Sequence, residues 1–156
     1  MNIGIIVHSQ SGCTASVARA LDAAFTARGD SCSTKLLRTS GNVAPRSKSF
    51  EIKSAPPVDE YDTIILGAPV WAFCASPVIM KYISGLENVK GKKVLCFVTK
   101  GLPFNWTGGT RAIRQMEGGF ELTGATLLPG AIITTTATHI KGKMQRFVDN
   151  ILAACA

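Results

Sequence analysis

Three short stretches of this chain combine residue types suited to holding a small anionic, aromatic ligand. The first, Ser9-Gln10-Ser11-Gly12-Cys13-Thr14, places three hydroxyls and a glycine just before a helical pattern. Free N–H groups at a helix start, joined by hydroxyl donors, make a phosphate cradle that needs no cation. The nucleotide-binding P-loop requires Gly-x4-Gly-Lys-Ser/Thr, and no lysine stands here. No Gly-x-Gly-x-x-Gly occurs either, which argues against a dinucleotide fingerprint. The second stretch, Ala68-Pro69-Val70-Trp71-Ala72-Phe73-Cys74, offers a stiff turn and the large flat face of Trp71. Stacking on such a face contributes about 0.5–1.5 kcal/mol beyond buried area. The third runs from Thr99, Lys100 and Gly101 to Gly108 and Gly109, with Phe104 and Trp106 between. Gly101 would permit close backbone approach, and either aromatic could cover a second ligand face.

Other reactive groupings are weaker. Cys13-x5-Arg19 has the spacing of a cysteine-dependent phosphatase loop, in which a thiolate attacks phosphorus and the arginine binds the oxygens. Residue 20 is alanine where that loop has a hydroxyl, residues 14–18 hold no glycine, and Arg19 falls on the helix that Val17 and Leu21 define. His8 ends the first apolar run, as a polar strand terminus or as a group approaching the site, and His139 is expected to cap the last helix. No Ser-His-acid arrangement supports hydrolase chemistry.

The elements that must position these loops are legible as alternating short apolar runs and helical periods. Strands are expected at Asn2–His8, Cys32–Leu37, Thr63–Gly67, Lys93–Val98 and Ala131–Thr135. Between and after them, Val17, Leu21, Ala24 and Phe25 mark one helix, which Gly29 ends. Val78, Ile79, Tyr82, Ile83 and Leu86 mark a second, entered at Ser76-Pro77. Ala112, Ile113 and Met116 mark a third; Ile140, Met144, Phe147, Val148, Ile151 and Leu152 mark a closing fourth. Continuous apolar strands joined by helices imply a parallel sheet covered on both faces, within one domain over residues 1–156. The segment Arg38–Asp59, with Pro45, Pro56 and Pro57, predicts an irregular crossover. In open sheets of this kind ligands bind beyond the carboxyl ends of the strands, where the strand order reverses. The three stretches follow the first, third and fourth strands and therefore converge there.

In these residues the sequence resembles the flavodoxin family. Ser9, Ser11, Gly12 and Thr14 fill its Ser/Thr-x-Ser/Thr-Gly-x-Thr phosphate loop, and YDTIILGAPVWAFCASP is similar to its strand leading into a Gly-x-Pro-x-Trp flavin loop. The resemblance implies a three-layer α/β fold with a five-stranded parallel sheet in the order 2-1-3-4-5. It also implies FMN as cofactor, held by Ser9, Gln10, Ser11, Gly12, Cys13 and Thr14, by Ala68 to Phe73, and by Thr99, Lys100, Gly101, Phe104, Trp106 and Gly108. The implied function is electron transfer, with a redox partner protein or a small acceptor such as a quinone. An FMN enzyme of the NAD(P)H:quinone-reductase type is the alternative, and a cysteine-dependent phosphatase a remote one.

Charge departs from the acidic carriers of that family. Seventeen Lys and Arg against ten Asp and Glu give a formal charge of +7. Between Glu87 and Glu117 stand Lys90, Lys92, Lys93, Lys100, Arg111 and Arg114 with no acid among them. Such a chain should not dock on the basic partners that acidic carriers meet by electrostatic steering. The basic residues are spread out and carry no nucleic-acid signature, so nucleic acid is not an expected partner. No stretch approaches the ~20 apolar residues of a membrane span, and Met1–Val7 is too short for a signal-peptide core. Five cysteines with no Cys-x-x-Cys pair suit a reducing cytoplasm rather than a disulfide or metal framework.

Overall fold

The computed structural model describes residues 1–45, 47–101, 108–135 and 140–156. The apolar run at the amino terminus forms β1 (Asn2–Val7), whose residues from Ile3 onward are buried. Its periodic successor forms α1 (Cys13–Arg28), with Val17, Leu21 and Phe25 fully buried along one stripe. Burying each such side chain contributes about 1.5–3 kcal/mol. Gly29 closes the helix, as its position after the periodic residues predicts. The chain continues through β2 (Ser31–Leu36), β3 (Thr63–Trp71), β4 (Cys74–Ala75), α2 (Pro77–Ser84), β5 (Lys93–Lys100), α3 (Gly109–Gly118), β6 (Thr126–Leu127), β7 (Ala131–Thr134) and α4 (Ile140–Ala154).

The sheet runs β2-β1-β3-β5, all parallel, with β6 and β7 both pairing with the far side of β5. Together β6 and β7 occupy the place of the expected fifth strand, so the order 2-1-3-4-5 holds with that strand split. Thr126 and Leu127 pair with Lys93 and Val94, but Ala131 pairs with Phe97, so one extra residue is accommodated between them. Leu128-Pro129-Gly130 absorbs it, as a bulge at a sheet edge does. Alternate residues of the inner strands feed two cores. Ile3, Ile5 and Val7 pack with α1 and α4, whereas Ile6, Ile64 and Leu66 pack with α2, α3 and the crossover residues Leu37, Val43 and Val58. This gives three layers, α1 and α4 on one face and α2 and α3 on the other.

Two expectations need correction. β3 does not stop at Gly67 but continues to Trp71, because β4 turns back and pairs with it, Val70 opposite Ala75 and Trp71 opposite Cys74. Likewise β5 runs on to Lys100. Ala68, Pro69, Val70, Trp71, Thr99 and Lys100 are therefore strand residues rather than loop residues. Pro69 is tolerated in β3 because β1 ends at Val7, opposite Gly67, leaving that side of Pro69 without a ladder partner. The crossover is irregular as expected. Thr39 bridges Ile52, Ser40 N–H donates to the Glu51 carbonyl and Lys53 N–H to that of Arg38, so the segment folds back on itself.

Candidate functional site

At the carboxyl ends of β1 and β3 lies a groove of about 770 Å³ lined by Gln10, Ser11, Thr14, Pro69 and Trp71 on the sheet side. That volume is within the usual ~300–1,000 Å³ of small-molecule and cofactor sites. β1 and β3 are where the chain reverses its direction of winding, since β2 lies to one side of β1 and β3 to the other.

The first loop is shaped by Gly12. Its φ of +93° is in the left-handed region and makes it the cap of α1, a cap with no side chain of its own, and the first turn holds no acid. Ser9 Oγ accepts from the Ala15 N–H at 3.2 Å, and Ser16 N–H donates to the Gly12 carbonyl. The first two helical N–H groups, of Cys13 and Thr14, have no carbonyl behind them and carry the positive end of the helix dipole. Thr14 is buried, and its hydroxyl shares a 2.8 Å hydrogen bond with that of Thr99, also buried, at the end of β5. One hydrogen is used between these two oxygens. The second is left to donate elsewhere.

Pro69 and Trp71 stand two apart on β3 and so face the groove together. Beneath Trp71 lies His8, with ring centroids 5.1 Å apart and planes at 84°, an edge-to-face contact. His8 is buried, and burial lowers its pKa from 6.5 to about 4, so the imidazole is neutral at physiological pH.

Not every expected residue faces the groove. Ala68 is fully buried in the core and Val70 packs against it. Cys13 is exposed at the helix start, and Ser9 lines a smaller adjoining recess of about 250 Å³. Lys100 is buried with its stem beside Gly109, and Gly101 is exposed. Ala72 and Phe73 form the two-residue turn between β3 and β4, both at positive φ, +48° and +66°. Gly108 packs on that turn: a Cβ there would meet the Phe73 backbone at 2.4 Å, and its φ is +96°. Phe104, Trp106 and His139 lie outside the described residues.

A fourth wall was not foreseen. Asn42, Val43, Ala44 and Pro45, from the crossover after β2, face the groove opposite Pro69 and Trp71. Buried Val43 anchors this segment, and Ser47 bonds reciprocally with Ala44. The phosphatase geometry is absent. Cys13 and Arg19 belong to one continuous helix, roughly 9 Å apart along its axis, and no loop brings them together. Among the described residues no group of His, Cys, Asp or Glu could hold a metal ion, and no helix is long and apolar enough to cross a membrane.

Solved structures with this architecture extend over the whole chain. Flavodoxin 2 from Bacillus cereus is 18% identical with a TM-score of 0.74, covering 99% of this chain and 98% of its own. Flavodoxin 1 from the same organism gives 17% and 0.73, with 99% and 97% covered. The chain has the flavodoxin fold. A flavoprotein from Lactobacillus acidophilus NCFM, solved in complex with FMN, is 14% identical with a TM-score of 0.65 and coverage of 94% and 97%. No protein-family model matches the flavodoxin-like chain, and no curated protein matches it in sequence.

Proposed function

We propose that this chain binds FMN in the groove between the first loop and Trp71 and serves as an electron-transfer flavoprotein. The observation that carries the reading is the pairing of two unlike ends in one groove: hydroxyls at a helix start capped by glycine, and an indole with a proline. A phosphate ester fits the first end. Ser11 and Thr14 would donate to its oxygens together with the N–H groups of Cys13 and Thr14, while Thr99 donates to Thr14 from behind. A flat, largely apolar ring system fits the second, against Trp71 and Pro69. The similarity to a flavoprotein holding FMN supports the same assignment. When bound, FMN supplies reversible one- and two-electron chemistry. The protein's part is to hold it, limit water at the ring and present one edge to a partner. With a formal charge of +7, that partner is an acidic protein or a small neutral or anionic acceptor such as a quinone. Five free cysteines agree with work in a reducing cytoplasm.

The purified protein should carry one extractable FMN per chain and no FAD. A flavin identified as FAD, or none bound in titration, would end the assignment. Anaerobic mixing of the holoprotein with NADH and NADPH then separates carrier from enzyme. A carrier is not bleached without a protein donor, whereas rapid bleaching would make it a reductase of the NAD(P)H:quinone type.

A further inference from the structure

We propose that His8 is the positioning residue for Trp71, an imidazole that packs perpendicular to the indole and ties it through Ser76 to the start of α2. The value of that placement for flavin binding rests on the FMN reading; the placement itself does not.

His8 leaves the sheet just past β1. Its N–H still donates to the Gly67 carbonyl at 3.0 Å, so its direction is set by the ladder. By alternation the ring goes to the face of Gly4 and Ile6, the side of α2. There Nδ1 lies 2.8 Å from Ser76 Oγ. Ser76 is fully buried and caps α2, accepting the Ile79 N–H at its hydroxyl and the Met80 N–H at its carbonyl. The ring also meets the indole, at 5.1 Å and 84°. One side chain thus spans a fixed helix start and a residue of the groove wall. Phenylalanine could supply the ring but not the hydrogen bond; serine or asparagine could supply the bond but not the ring.

The surroundings keep the ring uncharged. The ring meets Trp71 from β3 and Ser76 ahead of α2, and Ser9 and Gln10 line the same recess, none of them charged. The first turn of α2 has no acid, and its positive dipole end points toward Ser76. Among the described residues, the one charged side chain lining the recess that His8 shares is Arg38, from the segment after β2. Burial is what opposes a second proton on the ring. A neutral support holds Trp71 in the same orientation across physiological pH.

The test begins with apoprotein in which Trp106→Phe leaves Trp71 as the sole tryptophan, there being two in the chain. His8→Ala should lower Trp71 emission anisotropy, and His8→Phe, which keeps a ring but not the bond to Ser76, should recover part of the loss. In the unsubstituted chain, imidazole resonances followed by NMR should show His8 neutral down to about pH 4. With FMN added, His8→Ala should weaken binding about 3- to 10-fold, the range of one aromatic contact, with His8→Phe between His8→Ala and wild type. Unchanged anisotropy in His8→Ala would overturn the proposal, as would an imidazole titrating near the ordinary ~6.5. Should His8→Ala fail to fold, the NMR titration and His8→Phe still decide. Should FMN not bind at all, the apoprotein readouts stand, separating failure of this inference from failure of the functional one.

Discussion

Replacing Thr14 with valine keeps the shape of a buried side chain and removes a single oxygen. Among the described residues that oxygen has one partner in the free protein, the Thr99 hydroxyl at 2.8 Å. Losing the bond and leaving Thr99 buried without it should destabilise the fold by about 1–3 kcal/mol. Thr99→Val should cost a similar amount. The double variant should cost less than the sum, because two apolar groups of the same shape leave nothing unpaired. Ligand binding should split the two residues. If Thr14 donates to phosphate, its loss removes a hydrogen bond to a charged group, about 1.5–3 kcal/mol, or roughly 10- to 160-fold in Kd. Riboflavin, which lacks the phosphate, should lose almost nothing. Thr99→Val should fall between wild type and Thr14→Val for FMN, since it only orients the donor. Urea unfolding gives the stability cycle and calorimetric titration with both flavins gives the binding cycle. Equal losses of FMN and riboflavin in Thr14→Val would show that this hydroxyl holds no phosphate. Additive unfolding energies would show that the two threonines are not coupled.

The turn at Ala72-Phe73 holds two non-glycine residues at positive φ, so the pair Asn-Gly should stabilise the fold by about 1–2 kcal/mol in urea unfolding; unchanged stability would mean the turn carries no strain. A pH dependence follows from His8, whose pKa lies below the unfolded value of 6.5, at about 4. The unfolded chain binds the extra proton first, so this contribution is full above pH 6.5 and declines as pH falls toward 4. It amounts to no more than about 3 kcal/mol, less where solvent reaches the ring edge. Stability of wild type minus His8→Phe should slope over that window, and a flat difference would refute it.

The fold was legible where apolar runs were buried on both faces. IGIIV, TIILG and KVLCFV announce three inner strands, and each is almost wholly buried. β2, at an edge and half exposed, announces itself weakly for the same physical reason. The two-residue β6 has no pattern long enough to read. The turn into β4 was hidden because its sequence, Ala-Phe, contradicts the asparagine and glycine that such a backbone prefers. Within the groove, Gln10, Ser11, Thr14, Pro69 and Trp71 were recognisable from residue type and position after a strand. Asn42 to Pro45 were not, since nothing local says where an irregular crossover comes to rest. The contact of His8 with Trp71 joins residues 63 apart in the chain and exists only through the pairing of β1 with β3.

The split of the fifth strand bears on how the molecule behaves among its own copies. A sheet of this kind has two open sides, each a template on which a stranger's backbone could hydrogen-bond. At one side Lys35 stands exposed on a strand of six residues, where an added apolar segment would bury its charge. At the other, Leu128-Pro129-Gly130 removes a donor and shifts the register by one residue between Leu127 and Ala131. An incoming strand that matched β6 would be out of step with β7. The break that disguised the fifth strand in the sequence thus also guards the sheet against growing beyond its own chain.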